Sequence, residues 1–135
     1  MHRLFLDANV LFTAAHNPDG KAAFLFEAMD LKRWELLSSA YAIGEARRNI
    51  TVKYPQCAAR LEALIKQLIE VGQPAQARTA LALPEKDQPI FLAAQSTLAT
   101  HLLTGDKWHF GPHMNRPRDT GGIVIQKVAE FLAKL

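Results

Sequence analysis

The 135-residue sequence predicts an α/β fold, a parallel sheet covered by helices on both faces. Three observations predict it. Arg3-Leu4-Phe5-Leu6 is a short run of mostly large apolar residues without polar alternation, the pattern of a strand buried on both faces. Short runs of similar character recur at Trp34–Ser38, His101–Thr104 and Ile123–Ile125. Segments with helical spacing separate them, and strands alternating with helices make parallel crossovers.

The elements follow in order. After Asp7, Asn9 is placed to cap a short helix over Val10–Ala15, ended by the turn Asn17-Pro18-Asp19-Gly20. Lys21–Leu31 is apolar on most sides and reads as a largely buried helix. Trp34–Ser38 is a strand, and Ser38 or Ser39 then offers an N-cap for a helix over Ala40–Lys53. That helix stops at Tyr54-Pro55, because the residue before proline resists helical geometry. Cys57–Val71 carries apolar residues at helical spacing, with Glu62–Lys66 as an i,i+4 ion pair and Gly72 as its C-cap. Arg78–Leu83 is a candidate third strand. Asp87 and Pro89 open a helix through Ile90–Ala99, His101–Thr104 and Ile123–Ile125 are strands, and Lys127–Leu135 closes the chain as a helix.

Composition bounds the function. Residues 1–135 make one domain, with 49% hydrophobic and 21% charged residues, ordinary for a globular chain. A formal net charge of +3 is compatible with a polyanion partner without demanding one. One cysteine and five histidines argue against a metal-thiolate centre, and Cys57 has no internal disulfide partner, so a reducing cytosol is expected. Neither a signal peptide nor a membrane span is expected from the apolar runs.

Four acids stand out by position. Asp7 and Asp106 each follow a strand end, Asp87 opens a helix, and Glu45 rides a helix beside its buried stripe of Ile43, Ala46 and Ile50. In a parallel sheet, strand ends and the starts of the following helices share one edge. Carboxylates gathered there form a hard-oxygen pocket suited to Mg²⁺ or Mn²⁺. Each acid also has an ordinary explanation on its own: Asp87 as an N-cap, Asp106 in a Gly-Asp turn, Glu45 as a solvated helix residue. Asp7 is the strongest single candidate, since a charge ending so apolar a strand needs a partner or a purpose.

Four fragments in this order, Leu6-Asp7-Ala8-Asn9-Val10-Leu11, Glu45 within its helix, Lys86-Asp87-Gln88-Pro89-Ile90-Phe91-Leu92-Ala93-Ala94 and Leu103-Thr104-Gly105-Asp106, resemble the PIN domain family. These are nucleases that include the VapC-type toxins of bacterial toxin–antitoxin pairs. Thr104-Gly105-Asp106-Lys107-Trp108-His109-Phe110-Gly111 is similar to a subgroup ending this segment in His-Phe-Gly. The resemblance implies a three-layer α/β/α sandwich with a mainly parallel sheet, and Mg²⁺- or Mn²⁺-dependent hydrolysis of RNA. It places the catalytic and metal-binding quartet on Asp7, Glu45, Asp87 and Asp106, with Asn9 and Thr104 in support. Trp108 stands where many members carry a further acid, and the chain lacks the proline often found before Glu130-Phe131-Leu132.

Such a site would need basic groups at its rim to draw RNA to acids. Arg47, Lys107, His109, Arg116 and Arg118 are the candidates, each with an ordinary reading as a solvated charge or loop residue. Trp108, Phe110 and His109 could stack on bases or pack under a loop. His109 and His113 have zinc-like spacing, but Gly111-Pro112 between them breaks a helix. A cognate antitoxin and a homodimer are family expectations. Two other functions stay open: a haloacid-dehalogenase-like phosphatase with Asp7 as nucleophile, and a catalytically silent PIN fold that binds RNA or protein.

Overall fold

A computed structural model describes residues 1–31, 34–74, 79–105 and 110–135. Strand β1 (His2–Leu6) lies at the centre of a five-stranded sheet, paired in parallel with β2 (Trp34–Ser39) on one side and β4 (His101–Leu103) on the other. The sheet continues outward to β3 (Ile69–Val71) and β5 (Val124–Gln126), giving the order β3-β2-β1-β4-β5, all parallel. Leu4, Phe5 and Leu6 are fully buried, as a central strand covered on both faces requires.

Between β1 and β2 run α1 (Ala8–His16) and α2 (Lys21–Met29); between β2 and β3 run α3 (Ala40–Lys53) and α4 (Ala58–Ile65). Helix α5 (Gln88–Ser96) leads back to β4, and α6 (Val128–Ala133) follows β5. Right-handed crossovers put the β1–β2 and β2–β3 connections on one face and the returning β3–β4 connection on the other. The order therefore switches direction between β1 and β4, and the crevice of such a sheet opens outside the carboxyl ends of those two strands. The resulting three-layer α/β/α arrangement agrees with expectation.

Several boundaries follow directly from local chemistry. Ser39 Oγ accepts from the Ala42 amide at 3.1 Å and starts α3, which ends at Lys53 before Tyr54-Pro55. Trp34 is anchored in the core by donating from its indole nitrogen to the Leu25 carbonyl at 2.9 Å. Buried Ser38 donates to the Leu6 carbonyl at 2.8 Å, tying β2 to the end of β1.

Several expectations fail. The cap of α1 is Asp7, whose carboxylate accepts from the Ala8 amide; Asn9 lies inside the helix. The long helix over Cys57–Val71 is in fact one 3₁₀ turn (Pro55–Cys57), then α4, then the edge strand β3. The helix unwinds after Ile65 through 3₁₀-type bonds from Gln67 to Leu64 and from Leu68 to Ile65. The β-branched pair Ile69 and Val71 then completes the unpaired edge of β2, so Gly72 follows a strand instead of capping a helix. Lastly, among the described residues of the segment 78–83, none is in a strand. Thr79–Leu83 is irregular backbone held by buried Gln88, which accepts from the Thr79 amide at 2.9 Å and donates to the Leu83 carbonyl at 3.2 Å. Glu62 also forms its ion pair with Arg47 of α3, at 2.8 Å, in preference to Lys66.

Candidate active site

Asp7 sits immediately after β1, where the chain leaves the sheet. Its amide donates to the Leu103 carbonyl at 3.0 Å, which continues the β1–β4 ladder by one bond. Its carboxylate is buried and has two donors: the Ala8 amide reaches Oδ1 at 2.7 Å and the Thr104 hydroxyl reaches Oδ2 at 2.8 Å. Thr104 is itself fully buried just past β4, so the ends of the two central strands are joined by this side-chain bond.

Asn9, the second residue of α1, braces the same corner. Its Oδ1 accepts from the Gly105 amide at 2.8 Å and its Nδ2 donates to Thr104 Oγ1 at 3.3 Å. Asn9 and Thr104 thus fix the carboxylate and the Gly105 backbone.

Burial pushes the Asp7 carboxyl up to about 6, against the lowering effect of its two hydrogen bonds, and the charges of Asp87 and Glu45 raise it further. The structure therefore brings three of the four predicted acids into one electrostatic neighbourhood. Asp87 closes a 3₁₀ turn (Glu85–Asp87) and occupies the N-cap position of α5, yet its buried side chain makes no capping hydrogen bond. Glu45 is half-buried on α3, next to the fully buried Ala46. Asp106, Lys107, Trp108 and His109 lie outside the described residues.

Among the described residues, no three His, Cys, Asp or Glu side chains stand close enough to hold a metal ion between them. The donor chemistry nonetheless fits a hard divalent cation, because a buried carboxylate that resists ionising beside two further carboxylates is relieved by positive charge.

Beside this corner lies an open hollow of about 490 Å³, lined in part by Asn9, Thr13, Thr104, Gly105 and Lys127. Lys127 was absent from the predicted site. Its signal was positional: it directly follows the last strand, as Asp7 follows β1 and Thr104 follows β4.

Of the predicted basic rim, Arg47, Arg116 and Arg118 lie among the described residues. Arg47 is engaged by Glu62 through two hydrogen bonds of 2.9 and 2.8 Å, with both side chains about half exposed. That pairing raises the Arg47 pKa and lowers that of Glu62. The exposed Arg116 and Arg118 belong to a turn whose Arg116 and Pro117 carbonyls accept from Thr120 and Gly122. Asn115, directly before Arg116, is held to β5 by its amide on the Ile125 carbonyl at 2.8 Å and by the Gln126 side chain at 2.9 Å. Phe110 is fully buried and packs in the core. A ring nitrogen of His113 pairs with the Ala82 carbonyl at 2.9 Å.

The sequence matches the PIN domain family over residues 3–108. The chain belongs to the PIN domain family. Comparison with curated proteins by sequence gives no match. Among solved structures, this PIN domain is similar to VapBC2 from Rickettsia felis bound to a DNA fragment from their promoter, with a TM-score of 0.67 and 15% identity over 93% of this chain and 98% of that one. It is also similar to VapBC-1 from nontypeable Haemophilus influenzae, with a TM-score of 0.60 and 15% identity over 94% and 98% of the two chains. A third is Mycobacterium tuberculosis VapC20, a sarcin-ricin loop cleaving toxin, with a TM-score of 0.60 and 10% identity over 82% and 95%. At such identities the likeness is one of fold. No helix among the described residues of this PIN domain is long and apolar enough to cross a membrane.

Proposed function

We propose that this PIN domain is a divalent-metal-dependent endoribonuclease, with Asp7, Glu45, Asp87 and Asp106 as its catalytic and metal-holding acids. The observation that carries the reading is the buried Asp7 carboxylate at the switch point, pushed to about 6 by burial and by its acidic neighbours. A carboxylate so placed is poorly matched to water and well matched to a cation.

Bound Mg²⁺ or Mn²⁺ would supply charge neutralisation at the scissile phosphate and a water ionised near neutral pH. The chain's own residues do the rest. Thr104 and the Ala8 amide hold the two oxygens of Asp7 in a fixed plane, so the carboxylate is oriented before anything binds. Asn9 fixes the Gly105 backbone and hence the start of the segment that carries Asp106. Glu45 is placed to complete the acidic shell or orient the attacking water. Lys127, lining the adjoining hollow, provides positive charge for a phosphate.

The toxin half of a toxin–antitoxin pair is the biological role we propose. The support is the fold shared with VapBC-1 and VapBC2, which are toxin–antitoxin proteins. The cognate antitoxin would inhibit by covering the acidic site, with an arginine among its carboxylates.

The test is cleavage of a mixed, labelled single-stranded RNA pool by the purified protein with Mn²⁺, Mg²⁺ or EDTA, beside Asp7→Asn. Metal-dependent cutting that Asp7→Asn loses while staying folded is the expected result. Cutting that survives in folded Asp7→Asn overturns the assignment of the site.

A further inference from the structure

Helix α1 buries Ala8, Val10, Leu11, Ala14 and Ala15 and leaves Asn9, Phe12, Thr13 and His16 partly exposed. Spacings of three and four place those exposed residues in one stripe along the helix. The stripe begins at the acidic site, where Asn9 bonds Thr104 and Gly105. It ends in a surface aromatic pair. The His16 ring stacks on Tyr54 with centroids 4.6 Å apart and planes 15° from parallel. Phe12 leans on both, at 4.8 Å from His16 and 5.6 Å from Tyr54.

Two cations lie against α1. Lys53 Nζ lies 5.6 Å from the centre of the Phe12 ring, and the Arg60 side chain reaches the Ala14 carbonyl at 3.3 Å. Among the described residues the ion pairs are Arg3–Glu35 and Arg47–Glu62, so neither cation is neutralised by such a pair. Tyr54 is 37% exposed, so part of its ring is open to solvent. Flat rings beside uncompensated positive charge match a polyanion made of flat bases better than they match an apolar protein helix.

Resting on the nuclease reading above, we propose that the outer stripe of α1 is a track for single-stranded RNA held in the acidic site, with the His16–Tyr54 pair as its base-stacking platform. The nine residues of α1 rise about 1.5 Å each. The platform is therefore roughly three to four nucleotides from the scissile phosphate at the ~3.4 Å per-strand rise of stacked bases.

The experiment measures binding and cleavage with the full chain. Binding uses a labelled single-stranded RNA of about twelve nucleotides and Asp7→Asn protein, with and without Tyr54→Ala, His16→Ala or Tyr54→Phe. Loss of one stacked base weakens binding by about tenfold in the two alanine variants, while Tyr54→Phe, which keeps the ring, binds like its parent. In cleavage by otherwise native protein, Tyr54→Ala raises KM for the long RNA with kcat retained. The advantage of the long RNA over a trinucleotide shrinks accordingly. Binding that depends on Tyr54 without any cleavage would support the track while refuting the nuclease reading. Unchanged binding and unchanged length dependence in folded Tyr54→Ala and His16→Ala would overturn the track and leave the patch to a protein partner. Absence of RNA binding by the Asp7→Asn parent would overturn it as well.

Discussion

The hydroxyl of Thr104 donates to Asp7 Oδ2 at 2.8 Å, joining two residues 97 positions apart in the chain. The bond links the ends of β1 and β4 across the switch point of the sheet. It also counters part of the burial that pushes the Asp7 carboxyl upward. Thr104→Val removes the donor and leaves a buried acceptor unmatched, at a cost of about 1–3 kcal/mol in stability. It also raises the Asp7 pKa further, so the acidic limb of the pH–rate profile for RNA cleavage moves to higher pH. Thr104→Ser restores both. Rate profiles of the three proteins decide it, and superimposable acidic limbs would count against the role given to Thr104.

Asp7 makes the metal-free protein pH-sensitive in a defined direction. Its folded pKa of about 6 exceeds the ordinary 3.8, so folding favours the protonated form. The stability it contributes is complete below pH 3.8 and lost as pH rises through about 6. At pH 8 the loss amounts to about 3 kcal/mol at most. Asp7→Asn therefore melts higher than the parent in EDTA at pH 8, with the difference vanishing near pH 4. Mn²⁺ raises the Tm of the parent more than that of the variant.

His101 works in the opposite sense. Burial, and then the nearby His2, push its imidazole down to about 4 from 6.5. Its ring meets His2 at 5.1 Å and Phe131 at 5.0 Å, both edge-on, at the end of the sheet away from Asp7. The stability it contributes is complete above pH 6.5 and is lost as pH falls through about 4. Half-burial limits the effect to about 1–2 kcal/mol. Denaturant unfolding at pH 7 and pH 4.5 should show the parent losing more stability than His101→Phe, and equal losses would remove His101 from the acid response.

Gln88 is a structural clasp behind the site. Buried at the start of α5, right after Asp87, it holds both Thr79 and Leu83. Gln88→Leu strands an amide and a carbonyl and costs about 1–3 kcal/mol. It also frees the segment leading to Asp87, so hydrogen exchange at Thr79 should accelerate far more than exchange in β1. Uniform acceleration everywhere would indicate a purely global effect.

The parts of this chain legible in advance were those where one physical demand acts alone. Leu4, Phe5 and Leu6 are apolar without alternation because a central parallel strand has no solvent face. Ser39 and Tyr54-Pro55 bound α3 by capping and by proline sterics, which are local effects. Strand β3 was illegible because Ile69 and Glu70 are exposed and Val71 is only half-buried at a sheet edge, so three residues carry no strand pattern of their own. Their apolar spacing continued that of α4, and only the unpaired edge of β2 separates the two outcomes. Asp7 was legible as the acid that ends β1 but not as the cap of α1, because Asn9 two residues on also suits a cap. The Arg47–Glu62 pair was hidden because it joins two helices, whereas spacing along one helix suggested Lys66.

The position of β1 sets how the molecule fails. It is hydrogen-bonded to a neighbouring strand on each side, so its amides are released only when the sheet comes apart. Fraying of the termini or opening of the outer strands β3 and β5 leaves the backbone beneath Asp7 in place. Heat should therefore preserve activity up to the edge of the cooperative transition and then abolish it together with structure. The backbone that carries Asp7 is therefore expected to be among the last parts of the protein to exchange with deuterium.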